Sequence, residues 1–506
     1  MSDSEPKGTG AGRGVLYIAF AKFYFLLVGL VVQFRLPHYL SIEQYGRYGL
    51  VNSIASMFNN VAVTGTIQSV SRTSTHEQGR ARAVQHAGLR MHVRLGLPIS
   101  IAFIAAAPLV ARLLDDPAKT APLMLGGLII GGYSFYAVFV GTANGTHAFH
   151  KQAGLDVTFA TLRAIGLLGM AYLGLGVVGV VGGWVGAVAL ILCVAIAWVG
   201  LPGAKGRADK LPVKPMFRYF VGVALYLLLF NALMFVDNFL LELRLSDLLG
   251  HKVADEANGF YTASQNLARV SYQAIIAATF VVFPLVSRST FTEDRETTKR
   301  YIHITTRYSL AFATMIAVVM AANPSDNLAL LYGDTYAHAG APALRLLAFG
   351  NVAFAIFAIA GTILNGAGKS RAAIASAAVT VGLSAIANYL AIGTFANSPD
   401  VLEITAAVTA SAMLLGAVIT SWQLVRVFGA AVPLASLARI AISAAGAYAA
   451  GHYLPLHGRG KLMTLVAAAV VAVVFLVLMV ATRELGKRDL EAIKAVRRKR
   501  APGGES

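Results

Sequence analysis

Two basic residues stand where a lipid-spanning helix rarely tolerates them. Lys22 lies about two turns inside the first long apolar run, and Arg269 falls near the middle of another. A cation at such depth costs several kcal/mol (about 3 on insertion scales) unless it faces water, a partner or a substrate. Polar residues recur beside both at helical spacing. Gln33 follows Lys22 by eleven residues, so at 3.6 residues per turn it is rotated only about 20° from it. Asn52, Ser56 and Asn59 form one stripe of the second run, with Asn60 and Thr64 next to it. Tyr261, Gln265, Arg269 and Tyr272 form a stripe on the eighth, and Asn231 and Asn238 share a face of the seventh. Deep cations flanked by amides and hydroxyls suit an anion, above all phosphate or pyrophosphate. The competing reading is an internal ion pair, such as Arg269 with Asp237, that only fixes helix packing. Asp237 is then a packing partner; otherwise it is the candidate for ion coupling. Arg35 is expected to snorkel to the outer interface.

The elements that must position these residues are apolar runs of bilayer length. Fourteen follow one another, near 15–37, 48–70, 95–114, 121–144, 157–175, 179–201, 218–241, 260–286, 306–323, 342–365, 372–395, 402–425, 437–454 and 462–482. The chain of 506 residues is 57% hydrophobic, with mean hydropathy +0.66. Lipid offers backbone amides no partners, so these runs must be helices. The fold class is therefore an all-α polytopic membrane protein with no room for a soluble catalytic domain.

The formal net charge of +18 invites a nucleic-acid reading, but its distribution opposes it. Of the 42 Lys and Arg, 31 fall in alternate breaks, Lys151 and Arg163 among them. Nine fall in the others, including Arg47 and Lys119. That bias orients the chain by the positive-inside rule, with both termini cytoplasmic. The charge is topological, and no nucleic-acid partner is expected. The polar residues 1–14 precede a run too long for a signal-peptide core, so the first span is expected to be retained. The single Cys193 excludes an internal disulfide.

A Pro-, Gly- and Lys-rich linker, 202–217, divides the first twelve spans into two blocks, 15–201 and 218–425. Spans thirteen and fourteen occupy 426–482, and 483–506 reads as a basic amphipathic tail on anionic lipid. The second span opens "QYGRYGLVNS" and the eighth "ANGFYTASQN", so Gly46 and Tyr48 align with Gly259 and Tyr261. Asn144 in "GTANG" likewise aligns with Asn365 in "GTILNG". Blocks of six spans enter the membrane the same way, as repeats related by an axis along its normal. The two blocks would then enclose a cavity lined by the polar faces of their first two helices.

Tempting motifs fail on context. "NGAGKS" (365–370) ends like a phosphate loop, but Ile363 stands where the first glycine belongs and a span precedes it. His147 and His150 have no nearby carboxylate, so no metal is expected. No nucleophile stands beside a base, and neither an enzyme nor a cofactor is expected.

The stretches "LSIEQYGRYGLVNSIASMFNNVAVTGTIQSVSR", "VDNFLLELRL" with "NGFYTASQNLARVSYQAIIAATFVVFPLVSR", and "LYGDTYAHAGAPALRLLAFG" followed by "ILNGAGKSR" resemble the Wzx-type oligosaccharide flippases. These form a branch of the multidrug/oligosaccharidyl-lipid/polysaccharide exporter superfamily, and the likeness covers about residues 15–425. It implies a V-shaped, MATE-like body of two six-helix lobes plus two further helices, working by alternating access. It implies a substrate too: an undecaprenyl-pyrophosphate-linked oligosaccharide moved from the cytoplasmic to the outer leaflet of a bacterial inner membrane. The products would be O-antigen, exopolysaccharide or capsule, with a polysaccharide polymerase and a chain-length regulator as further candidate partners. Related flippases carry basic residues in the first and eighth spans, which Lys22 and Arg269 match by span. The expected cavity residues are thus Lys22, Gln33, Asn52, Asn59, Asn231, Gln265, Arg269 and Tyr272. A cation-coupled drug exporter of the same fold and a non-transporting assembly subunit remain the alternatives. The drug exporter would want a carboxylate in the cavity, and Asp237 is the one acid read here as lying within a span.

Overall fold

A computed structural model describes residues 9–77, 79–273, 295–453, 458 and 460–486. The expected eighth span beyond 273 and the basic tail beyond 486 lie outside the described residues. Within them the chain is all-helical, with no strand. In chain order the helices are α1 (Thr9–Arg35), α2 (Ile42–His76), α3 (Ala81–Arg94), α4 (Gly96–Leu113), α5 (Thr120–Gly145) and α6 (Phe149–Tyr172). There follow α7 (Gly176–Val199), the short α8 (Gly203–Ala208), α9 (Val213–Leu249), α10 (His251–Ala268) and α11 (Arg295–Ala322). The remainder are α12 (Pro324–Tyr332), α13 (Asp334–Gly366), α14 (Ser370–Phe395), α15 (Val401–Phe428), α16 (Leu434–Tyr453) and α17 (Lys461–Ala481).

Among the described residues, 12 helices are long and apolar enough to cross a bilayer. This is a multi-pass membrane protein. Two of the fourteen expected runs are not among these helices: α2, which carries a polar stripe, and the eighth, which extends beyond the described residues. At 1.5 Å per residue α2 is about 50 Å long, so length does not disqualify it; its Asn, Ser and Thr content does. Its start is sharply specified. Ser41 caps it in a reciprocal box, Ser41 Oγ accepting from the Gln44 amide and the Ser41 amide donating to Gln44 Oε1, both at 3.2 Å.

Two boundaries differ from the sequence reading in ways that matter. The chain 242–259 was expected to be an outer loop, but α9 runs on to Leu249 and α10 begins at His251. One residue, Gly250 at φ +90°, makes the whole turn, a conformation costly for any side chain. The third span begins early as well: α3 and α4 run almost continuously from Ala81 to Leu113, so Arg82, Arg90 and Arg94 sit on a helix.

The described chain divides into two compact units, Met1–Ala263 with Ser370–Ala412, and Ser264–Lys369 with Met413–Ser506. In the first, α2 packs on α5 and α9, α6 on α1 and α7, and α9 on α14. Glycines let α2 and α10 touch backbone to backbone: a Cβ on Gly46 would lie 1.8 Å from the Asp255 carbonyl oxygen, and one on Gly259 would lie 2.4 Å from that of Ile42. The two glycines aligned by the sequence repeat therefore face one another. In the second unit, α13 packs on α11 and α12, and α11 on α16 and α17.

Candidate functional site

In the first unit, α1 presents Lys22 to α6, and its ammonium lies 2.8 Å from Asp156 Oδ2. The pair is half open: 40% of the Lys22 side chain is exposed, against 11% of Asp156. One turn on, Tyr24 and Thr161 join their hydroxyls across the same helices at 2.9 Å. Arg163 lies on this seam too, correcting its assignment to a cytoplasmic loop. It sits about four turns into α6, its guanidinium 4.4 Å from the Trp184 ring centroid on α7. Gln33 is half-buried farther along α1, its Oε1 accepting no hydrogen bond. Asp156 and Glu242 also correct the expectation that Asp237 is the one intramembrane acid, since both lie in helices of spanning length and hydropathy.

The polar stripe of α2 is partly used in packing. Asn52 Oδ1 accepts from the Ser56 hydroxyl at 3.4 Å, and Asn60 donates to Asn231 Oδ1 on α9 at 2.8 Å. Asn231 spends its own Nδ2 on the Leu227 carbonyl at 2.7 Å, so its amide ties α2 to α9. Asn59 is half-buried, with an Oδ1 that accepts no hydrogen bond. Asp237 is fully enclosed. It accepts from the Tyr261 hydroxyl at 2.7 Å and from the Asn238 amide at 2.8 Å, while Asn238 donates to Thr262 at 3.0 Å.

In the second unit, Arg269 donates to Gln265 Oε1 at 2.7 Å, one turn away as the spacing requires. Arg269 is 7% and Gln265 3% exposed. Tyr272 stacks edge-on against Phe354, ring centroids 4.9 Å apart.

A second charged constellation escaped the sequence reading. Lys119, expected in an outer loop, is fully buried, with its Nζ 2.6 Å from Glu242 Oε1, 3.0 Å from Asp255 Oδ1 and 3.4 Å from Asp116 Oδ2. Arg47, also expected outside, bridges Asp116 Oδ2 at 3.0 Å and Asp255 Oδ2 at 2.9 Å. Asn258 donates to the other Glu242 oxygen at 2.9 Å. These residues come from α2, the turn before α5, the end of α9 and the start of α10. Asp116 sets the turn by accepting the Ala118 amide at 2.9 Å. Reading 242–259 as loop hid the cluster. The available signal was the helical spacing of Ala254, Asn258, Tyr261 and Gln265, which begins well before the apolar run.

Comparison with known proteins decides the family. A family model described as "Polysaccharide biosynthesis protein" matches residues 36–340. The chain belongs to that family. No curated protein matches it. Among solved structures it is similar to the lipid II flippase MurJ in its inward closed conformation, at 13% identity and TM-score 0.72, covering 93% of this chain and 99% of that one. It is similar too to a MOP-superfamily transporter from Pyrococcus furiosus, at 15% identity and TM-score 0.61, covering 84% and 98%. An outward-facing multidrug-resistance MATE transporter of that superfamily gives 14% identity and TM-score 0.62, with the same coverages. This polysaccharide biosynthesis family member thus has the MurJ/MATE fold, the one expected from its quoted stretches.

Proposed function

We propose that the protein flips an undecaprenyl-pyrophosphate-linked oligosaccharide from the cytoplasmic to the outer leaflet of a bacterial inner membrane by alternating access, with both termini cytoplasmic. Residues 15–201 and 218–425 serve as its two lobes. The polysaccharide biosynthesis family supplies the pathway class, and the fold shared with a lipid II flippase supports a lipid-linked cargo. The observation that carries the reading is Lys22. Asp156 orients its ammonium from one side at 2.8 Å, and 40% of the side chain stays open. An ammonium has three donors, so a phosphate oxygen can join or displace the carboxylate. Arg269 is the second head-group ligand, aimed by Gln265, and Gln33, Asn52, Asn59, Asn231 and Tyr272 line the path. Moving each negative charge outward across an inside-negative membrane releases about 2.3 kcal/mol per 100 mV, which favours export of a pyrophosphate. Asp237 is the residue proposed for ion coupling. A polymerase and its chain-length regulator would then act on the flipped product.

The test is a leaflet-sidedness assay of the glycan-loaded lipid in cells whose only copy carries Lys22→Ala or Arg269→Ala. The expected result is normal protein in the membrane with glycolipid accumulating on the inner leaflet, and partial rescue by Lys22→Arg. Unchanged surface polysaccharide in both variants would overturn the proposal. Resistance to cationic dyes in a pump-deficient host would instead indicate drug export.

A further inference from the structure

The Lys119 cluster is a charged site that the substrate path does not use. It holds three carboxylates, Asp116, Glu242 and Asp255, against two cations, Arg47 and Lys119. Lys119, Glu242 and Asp255 are each 0% exposed and Asp116 only 4%, so almost no water screens the surplus negative charge. Both cations are already committed: Lys119 reaches all three acids and Arg47 bridges two. Asp116 Oδ2 and Asp255 Oδ1 each face a cation at 3.0 Å, yet two cations cannot balance three carboxylates, and Asn258 Oδ1 beside them accepts no hydrogen bond. A buried charge without compensation is expensive, as is a buried acceptor without a donor. One proton on a cluster carboxyl oxygen cancels the surplus charge.

The position gives that proton a consequence. The cluster flanks the crossing where α2 and α10 touch through Gly46 and Gly259. It ties α2, through Arg47, to α10, through Asp255. Separating the two helices would hydrate the acids and dissolve the ion pairs. By the charge bias, this end of the first unit faces outward.

We propose that the cluster binds one proton when α2 and α10 are joined and releases it when they part, which makes it a latch on the outer end that external acidity closes. The step is a plain protonation, H⁺ moving from outside water onto a cluster carboxylate and back. The sign follows from linkage: the joined state holds one proton more, so it gains as pH falls and loses as pH rises. The titratable groups that face one another are Arg47 from α2, Asp116 and Lys119 from the turn before α5, Glu242 from α9 and Asp255 from α10. The outward orientation and the role in transport rest on the proposed function; the protonation does not.

The test uses the full chain in liposomes free of glycolipid, so its failure and that of the flippase reading are separable. Spin labels at Glu43→Cys on α2 and Val253→Cys on α10, in a Cys193→Ser background, report the separation of the two helices between pH 5 and 8. In the otherwise native chain the open-to-closed ratio should rise with pH, by at most about tenfold per unit, the limit for one proton. Glu242→Gln and Asp255→Asn each remove the surplus charge and should hold the short distance with no pH response. A distance distribution identical at pH 5 and 8 in the native chain overturns the proposal. So does a pH response that survives unchanged in both variants.

Discussion

Lys119 and Lys22 both meet carboxylates at ion-pair distance, yet in opposite surroundings. Lys119 is 0% exposed and shares three acids; Lys22 keeps 40% of its side chain open and holds one. In the dry cluster Lys119, Glu242 and Asp255 depend on their partners, because almost nothing else can solvate them. In the half-open pair water reaches the Lys22 ammonium, though Asp156 is only 11% exposed. One site is therefore suited to holding helices together, and the other to exchanging a carboxylate for a phosphate.

The strongest way to break that contrast is Lys119→Met, which strands Glu242 and Asp255. It should cost about 3–5 kcal/mol of stability, the usual result of leaving buried charges unpaired. Thermal unfolding in detergent reads this as a large fall in Tm, and adding Glu242→Met should recover part of it. Next comes Gly46→Ala at the crossing the cluster guards. Its methyl would meet the Asp255 carbonyl oxygen at 1.8 Å, so the helices must part, with an expected loss of about 1–3 kcal/mol in the same assay. Lys22→Ala should cost less than Lys119→Met, because it strands one carboxylate, 11% exposed, where Lys119→Met strands two at 0 and 1%. Its effect should appear in the leaflet-sidedness assay, and a Tm loss equal to that of Lys119→Met would erase the distinction drawn here.

The smallest effect is expected where an ion pair is fully at the surface. Arg80 grips Asp209 through two donors at 2.8 and 2.5 Å, pinning the linker to the start of α3. That hydrogen-bonded guanidinium holds the Asp209 carboxyl below its usual range. A depressed carboxylate contributes above its unfolded value and loses that contribution as pH falls through the depressed one. Protease cleavage within 203–210 should therefore rise only in acid or at high salt, and Arg80→Ala should show the acid level of cleavage at neutral pH.

Much of this was legible from local pattern. Run length and hydropathy gave the all-helical class, and the quoted stretches gave a resemblance that the family match and the shared fold agree with. The Gln265–Arg269 bond follows directly from a four-residue spacing on one helix. Partners that arrive from other helices were not legible. Asp156 looked like loop when Lys22 was read as a cation awaiting a ligand, and Arg163 was counted with the cytoplasmic charges. Glu242, Asp255, Arg47 and Lys119 occupy four separate stretches of chain, each an ordinary charged residue near the end of an apolar run. Gly250 compounds the difficulty, since one residue at positive φ hides a helix–helix turn inside what reads as an eighteen-residue polar loop.

Composition alone determined that this chain must live as bundled helices, because its backbone amides can be satisfied in lipid only within the helices themselves. Charge placement along it carried a directional bias for the same local reason. Which charges are dry and which are wet was decided only by the tertiary structure. Burial depends on what the other helices bring to a side chain, and no spacing within one helix records that.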